Sequence, residues 1–238
     1  MSIQYIVAIV PAAGTGKRFG QENLKTYFDI EGIPLLVHTL KSLQAQVLIN
    51  QIILSVRSED IEHCRALTKQ HELHKVTQIV PGGNERQDSI YNALQELKCP
   101  EGISRKDIVV LIHDGARPII PGHTIESLLE GIKGVEGAIP GVTARDTLKT
   151  VDSEGIVIST VNRESFRAIQ TPQAFRLETI LSAYETAGAE SFYATDDAAL
   201  VEKAGGRVRV ITGSPLNIKV TTPEDIGLVT YLLHKGIS

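Results

Sequence analysis

Two hydrophobic patterns alternate along the chain. Short continuous apolar runs, rich in Val and Ile, occupy 3–10, 51–56, 76–80, 108–113, 137–140 and 207–211. Such runs fit strands covered on both faces, because a strand with one wet face would alternate apolar and polar residues. Between them, apolar residues recur at helical spacing over 34–46, 59–71, 85–97, 124–132, 177–187, 195–204 and 222–233. Local signals support several of these helices. Asn84 with Gln87 three residues on resembles a capping box. Thr222-Pro223-Glu224-Asp225 offers a cap, a proline at the first helical position and two acids for the helix dipole. Gly236 suits the stop of the last helix.

Strand–helix–strand alternation predicts an α/β fold, doubly wound around a mostly parallel sheet with right-handed crossovers. One segment departs from it. Residues 146–151 and 156–161 flank the turn Asp152-Ser153-Glu154-Gly155, which predicts a β-hairpin arm at about 141–165 that projects from the sheet. There is no internal repeat and no Pro/Ser-rich linker, so the expectation is one domain over 1–238.

Composition narrows the function classes. The 238 residues can bury a sizeable core, on the order of 70% of the unfolded surface. The 24 Lys+Arg against 28 Asp+Glu leave a net charge of −4. That argues against a general DNA or RNA binder, which needs surplus cations over the whole domain. A small anion needs only a few cations in one place. With no Trp and 5% aromatics, a base-stacking platform is not expected either. No stretch approaches the ~20 apolar residues of a spanning helix, and residues 1–10 read as a buried strand rather than a signal peptide. Cys64 and Cys99 lie far apart and in no CxxC pairing. Neither a disulfide framework nor a zinc site is suggested, and a reducing cytoplasm is the expected location.

The first strand runs into Pro11-Ala12-Ala13-Gly14-Thr15-Gly16-Lys17-Arg18-Phe19-Gly20. Small residues there let backbone N–H groups approach a phosphate. The dinucleotide fingerprint fails, because its third position is Phe19. The P-loop fails too, because Arg18 follows Gly16-Lys17 where Ser or Thr is required. By itself the segment fits a phosphate loop or an ordinary glycine-rich turn with solvated basic residues.

A wider set of motifs carries more. Pro11-Ala12-Ala13-Gly14-x-Gly16-x-Arg18 with Leu24-Lys25-x-Tyr27 resembles the opening of the nucleotidyltransferases that activate sugar and alditol phosphates. Gly82-Gly83-Asn84-Glu85-Arg86-Gln87-Asp88-Ser89, His113-Asp114-Gly115-Ala116-Arg117-Pro118, Arg145-Asp146-Thr147-Leu148-Lys149, Gln170-Thr171-Pro172-Gln173-Ala174-Phe175, Thr195-Asp196-Asp197-Ala198 and Asn217-Ile218-Lys219-Val220-Thr221 follow in order. Together they resemble the 2-C-methyl-D-erythritol 4-phosphate cytidylyltransferase family over almost the whole chain. Two positions depart from its usual pattern: Thr26 stands for Gln, and Asn84 for Asp.

The resemblance implies a Rossmann-like fold and CMP transfer from CTP to a polyol phosphate, with Mg2+. It implies Arg18, Lys25 and Lys219 as the catalytic cations. Pro11, Ala12, Ala13, Gly14, Gly16, Gly83, Asn84 and Ser89 would hold the nucleotide. Asp114, Arg117, Thr147, Arg163, Thr171 and Thr195 would hold the second substrate, with Asp114 also the metal ligand. It further implies a homodimer through the β-arm, with active sites completed across the interface. Outside the resemblance, Arg18 and Lys25 could be surface cations, Lys219 an edge-strand lysine, Asn84 and Asp114 caps, and the arm a solvated hairpin. Ribitol 5-phosphate is the alternative acceptor. An NAD(P)-linked oxidoreductase and a non-catalytic nucleotide sensor are the other classes. The displaced glycine disfavours the first, and the joint presence of Arg18, Lys25, Asp114 and Lys219 disfavours the second. A mildly acidic chain would then carry a locally cationic cleft.

Overall fold

The computed structural model describes residues 3–14 and 27–236. Its strands are β1 (Tyr5–Pro11), β2 (Asp29–Ile30), β3 (Ile33–Pro34), β4 (Gln51–Val56), β5 (Val76–Pro81), β6 (Ile108–Ile112), β7 (Gly137–Thr143), β8 (Lys149–Val151), β9 (Val157–Thr160), β10 (Arg167–Ile169), β11 (Gln173–Arg176) and β12 (Val208–Thr212). Its helices are α1 (Leu35–Ala45), α2 (Ile61–Gln70), α3 (Arg86–Glu96), α4 (Thr124–Gly131), α5 (Leu177–Ala189), α6 (Asp197–Lys203) and α7 (Pro223–His234).

Eight strands form one mixed, mostly parallel sheet. From one edge, β5, β4, β1 and β6 lie side by side and parallel. Next, β11 runs antiparallel between β6 and β7. β10 continues along that side of β7, also antiparallel. β12 pairs parallel with the opposite edge of β7.

The buried apolar runs explain the layers. Ile6, Ala8 and Val10 of β1 point into one core, with α1, α2 and α4 packed over them. Val7 and Ile9 point into the other, beneath α3, α5 and α6. Each fully buried Ile, Leu or Val contributes about 1.5–3 kcal/mol relative to exposure, so a central strand with both faces covered is held far more firmly than an edge strand. A third cluster joins Ile30, Leu35, Ala116, Val220 and Val229, which seats α7 against the β2–β3 hairpin. The doubly wound α/β expectation is therefore met.

Several details differ from the sequence reading. β10 and β11 were not predicted. They hold three and four residues and are separated by Pro172, too short to show a period; pairing with β6 and β7 makes them strands. The β2–β3 hairpin was also missed. Lys219 lies in irregular chain rather than a strand, tied down by Val220 N–H donating to Ala116 O at 2.9 Å. The helix cap moves by one residue: Glu85 N–H donates to Asp88 Oδ2 at 3.0 Å. Gln87 instead binds the chain before α6, donating to Phe192 O at 2.9 Å and accepting from Ala194 N–H at 3.0 Å. A long-range contact displaced a local one.

β8 and β9 form a two-stranded ribbon of their own, as the hairpin reading expected. Every residue in both strands is exposed.

Candidate active site

From β1 the chain moves first to β4 and β5, then crosses back to β6 on the opposite side of β1. Such a reversal opens a crevice at the carboxyl ends of the strands, where ligands of open α/β sheets bind. Three segments meet there: residues 11–14 after β1, 82–84 after β5 and 113–117 after β6. Each is anchored by continuing a ladder. Ala12 N–H donates to Ser55 O at 2.7 Å, Gly82 N–H to Val56 O at 2.6 Å, and His113 N–H to Ile9 O at 2.9 Å.

The 82–84 turn is packed too closely for a side chain. A Cβ on Gly82 would lie 2.5 Å from Ala13 Cβ, and one on Gly83 would lie 2.2 Å from Asp88 Cβ. Both positions require glycine. Ser89 Oγ accepts from Gly83 N–H at 3.0 Å and donates to Glu85 O at 3.1 Å, which holds the turn in shape. Asn84 is exposed at its tip. The structure thus brings Pro11, Ala12, Ala13, Gly83 and Ser89 to one place. Gly16, Arg18 and Lys25 lie outside the described residues.

Asp114, directly beyond β6, is the centre of charge. Lys219 Nζ lies 2.7 Å from its Oδ2, Arg117 Nε 3.7 Å from the same oxygen, and Arg86 Nε 3.2 Å from Oδ1. Burial alone would push its carboxyl pKa up; Arg86, Lys219 and Arg117 overturn that and hold it well below the usual carboxylate range. Its carboxylate is therefore held in the ionised form that these cations need.

The groups behind Asp114 form one hydrogen-bonded chain. Asp114 N–H donates to Thr171 Oγ1 at 3.0 Å, and Thr171 Oγ1 lies 3.2 Å from His113 Nδ1. That oxygen accepts from Asp114 and still has its own proton to donate to Nδ1. His113 Nε2 lies 2.9 Å from Arg117 O, a pure acceptor, which assigns a proton to Nε2. Full burial pushes the His113 pKa down to about 4, which agrees. Arg117 donates through Nη1 to Asn217 O at 2.7 Å, and Asn217 Nδ2 donates to Thr171 O at 2.7 Å. The segments after β6, before β11 and after β12 are thereby locked together.

Arg86, quoted in a motif but given no role in the sequence reading, links this centre to the rest of the crevice. Its Nη1 and Nη2 grip Asp197 at 3.2 and 2.7 Å while Nε reaches Asp114. Tyr184 Oη–H also donates to Asp197 Oδ1. The sequence signal was present: one arginine in a glycine-rich turn and a paired acid in Thr195-Asp196-Asp197. Nothing in the sequence said that they meet. Thr195 is exposed and, with Asn84, Arg86 and Asp197, lines a cavity of about 520 Å³.

Thr147 and Arg163 stand apart from this cluster. Both are exposed, and Arg163 donates through Nη1 to Arg145 O at 2.9 Å at the root of the arm. No hydrogen bond or ion pair among the described residues joins them to Asp114. A groove of about 900 Å³ runs past the same root, lined in part by Arg145, Glu164, Arg167 and Gly213.

The profile of the 2-C-methyl-D-erythritol 4-phosphate cytidylyltransferase family matches residues 6–235. The chain belongs to that family. A curated relative of that name from Syntrophus aciditrophicus is 43% identical over 231 residues, 97% of this chain and 96% of its own. One from Bacillus mycoides is 39% identical over 226 residues, 95% and 96% of the two chains. Among solved structures, 4-diphosphocytidyl-2C-methyl-D-erythritol synthase from Anaerococcus prevotii superposes with a TM-score of 0.80 at 30% identity, covering 97% of this chain and 99% of that one. As a 2-C-methyl-D-erythritol 4-phosphate cytidylyltransferase family member, the chain is a nucleotidyltransferase with the Rossmann-like fold. Its activity is CTP-dependent cytidylyl transfer in isoprenoid biosynthesis, and the ribitol-phosphate alternative is not favoured. No helix among the described residues is long and apolar enough to cross a membrane.

Proposed function

We propose that the crevice transfers CMP from CTP to 2-C-methyl-D-erythritol 4-phosphate through the residues now described. The observation that carries this reading is the convergence of Arg86, Arg117 and Lys219 on Asp114. Arg18 and Lys25 would bring two further cations to it. A triphosphate meeting a monophosphate needs such a site, because two anions must approach each other.

In the step itself, a phosphate oxygen of the acceptor attacks the α-phosphorus of CTP. The new P–O bond forms as the bond to the bridging oxygen breaks, and pyrophosphate leaves with the electron pair. The attacking monoester is already anionic near neutral pH, so no general base is required, and positioning with electrostatic stabilisation supplies the catalysis. Arg18, Lys25 and Lys219 brace the phosphates. Residues 11–14, Gly83, Asn84 and Ser89 hold the nucleotide, with Gly16 of the same sequence motif. Asp114, Arg117, Thr171 and Thr195 orient the acceptor.

Asp114 would also hold Mg2+. A carboxylate offers about four lone-pair sites; three face Arg86, Arg117 and Lys219. One site suits an ion that takes most of its ligands from phosphates and water. No cluster of three or more His, Cys, Asp or Glu among the described residues offers an all-protein cage. When bound, the ion neutralises charge on the phosphoryl oxygens.

The arm supports a homodimer in which Thr147 and Arg163 complete the partner's site. Val151, Ile156, Val157, Ile158 and Phe166 are 48–67% exposed. An isolated two-stranded ribbon is marginal in water, and a second copy would cover these side chains. The free Cys64 and Cys99 suit a reducing cytoplasm.

The test is pyrophosphate release from CTP with a panel of polyol phosphates. 2-C-methyl-D-erythritol 4-phosphate should give the highest kcat/KM. A clear preference for ribitol 5-phosphate would overturn the acceptor assignment.

A further inference from the structure

Asp197 opens α6 and is 1% exposed. A carboxylate so far from water needs partners for both oxygens. Arg86 takes both oxygens in a bidentate grip, and Tyr184 adds a hydrogen bond to Oδ1. Buried ion pairs add little net stability compared with apolar packing. What this one fixes is direction. A guanidinium is a rigid planar fork, so pinning both Nη groups sets where the Nε–H points. It points at Asp114 Oδ1, 3.2 Å away.

We infer that Asp197, backed by Tyr184, is a positioning residue that acts through Arg86 on Asp114. The contacts around the pair agree. Tyr184 stacks on Tyr91 of α3, with ring centres 6.0 Å apart and planes 8° from parallel. Arg86 is the first residue of that same helix. The helix that begins at the 82–84 turn is thus held on α5 by the stack and on α6 by the ion pair. Gln173 repeats the device from β11, donating to Asp196 Oδ2 at 2.9 Å and accepting from Ala198 N–H at 3.2 Å. Without Asp197, Arg86 is free to swing its Nη groups onto Asp114, where Lys219 and Arg117 already bind. The nucleotide-side turn and the acceptor-side carboxylate then lose their fixed relation.

The inference rests on Asp114 acting at the acceptor, and Asp114→Asn is the control for that. The variants are Asp197→Asn, Arg86→Lys, the double variant and Tyr184→Phe, each corrected for its folded fraction by urea unfolding. Asp197→Asn should lower kcat by on the order of 10- to 100-fold, the scale of an ångström-level misplacement. The Kd for CTP, from calorimetry, should stay within about threefold, because the interaction lost acts on the reacting geometry. Arg86→Lys cannot make the bidentate grip, so the double variant should be no worse than the worse single one. Tyr184→Phe keeps both charges and should show the same kcat loss in weaker form. It decides the matter if Asp197→Asn does not fold. Full kcat in folded Asp197→Asn, or additive losses in the double variant, would overturn the inference. So would an unaltered kcat in Tyr184→Phe when Asp197→Asn cannot be obtained folded. An active Asp114→Asn would instead overturn the reading on which it rests. An inactive Asp114→Asn beside a fully active Asp197→Asn would overturn the positioning role alone.

Discussion

Lys219 Nζ sits 2.7 Å from Asp114 Oδ2, although one residue follows β12 and the other follows β6. The pair is asymmetric. Asp114 is nearly buried and keeps two further cationic partners, while the Lys219 side chain is 38% exposed and faces the crevice. Asp114 therefore keeps its charge compensated by Arg86 and Arg117 even without the lysine.

Lys219→Met should accordingly separate activity from stability. Asp114 remains paired with Arg86 and Arg117, so the loss of stability should fall short of the roughly 3–5 kcal/mol that follows when a buried charge is stranded. The kcat should drop by on the order of 10²–10³, as for removal of an oxyanion-hole donor. Pyrophosphate release and urea unfolding on the same preparation measure both. Equal losses in the two would mean that Lys219 is a structural partner only.

Arg18→Ala and Lys25→Ala should behave similarly, each lowering kcat by roughly 10²–10³ with the unfolding midpoint little changed. Their place in the opening motif, Pro11-Ala12-Ala13-Gly14-x-Gly16-x-Arg18 with Leu24-Lys25, motivates this. A normal kcat in either variant would remove that residue from the phosphate site.

Arg163→Ala should raise KM for the polyol phosphate by roughly 10- to 100-fold, the equivalent of a hydrogen bond to a charged group at about 1.5–3 kcal/mol. CTP affinity should stay largely intact in calorimetry. A selective loss of CTP affinity would move Arg163 to the nucleotide side of the site.

The arm carries the dimer prediction. Ile156→Asp combined with Ile158→Asp places two charges on its exposed apolar surface. The parent chain should sediment as a dimer, and the variant should dissociate and lose activity with it. A parent chain that stays monomeric at micromolar concentration would exclude the composite site.

His113 supplies a pH signature. Unfolded, it takes a proton near its ordinary pKa of 6.5; folded and buried, it resists until about 4. The unfolded state thus binds more protons across that window, and stability must fall as pH is lowered through it, levelling out below about 4. The full effect is on the order of 3 kcal/mol. His113→Gln removes this component, so its unfolding free energy should decline less than that of the parent between pH 6.5 and 4. Parallel curves would show that the ring is not neutral in the fold.

The layers of the fold are legible in the chain alone. Runs such as residues 6–10 and 108–112 are apolar throughout, and only a strand covered on both faces satisfies them. The family resemblance of the motifs pointed to Asp114, Arg117, Thr171 and Lys219 individually. Which of them meet depends on the packed fold. β10 and β11 have too few residues to show a period and become strands through neighbours on either side. Arg86 and Asp197 lie on different helices and carry no mutual signal. Their pairing exists because α3 and α6 pack on one face of the sheet, where a carboxylate shut away from water must find a cation or remain unsolvated. Periodicity is a local property of the chain; charge neutralisation in a low-dielectric crevice is a property of the folded whole.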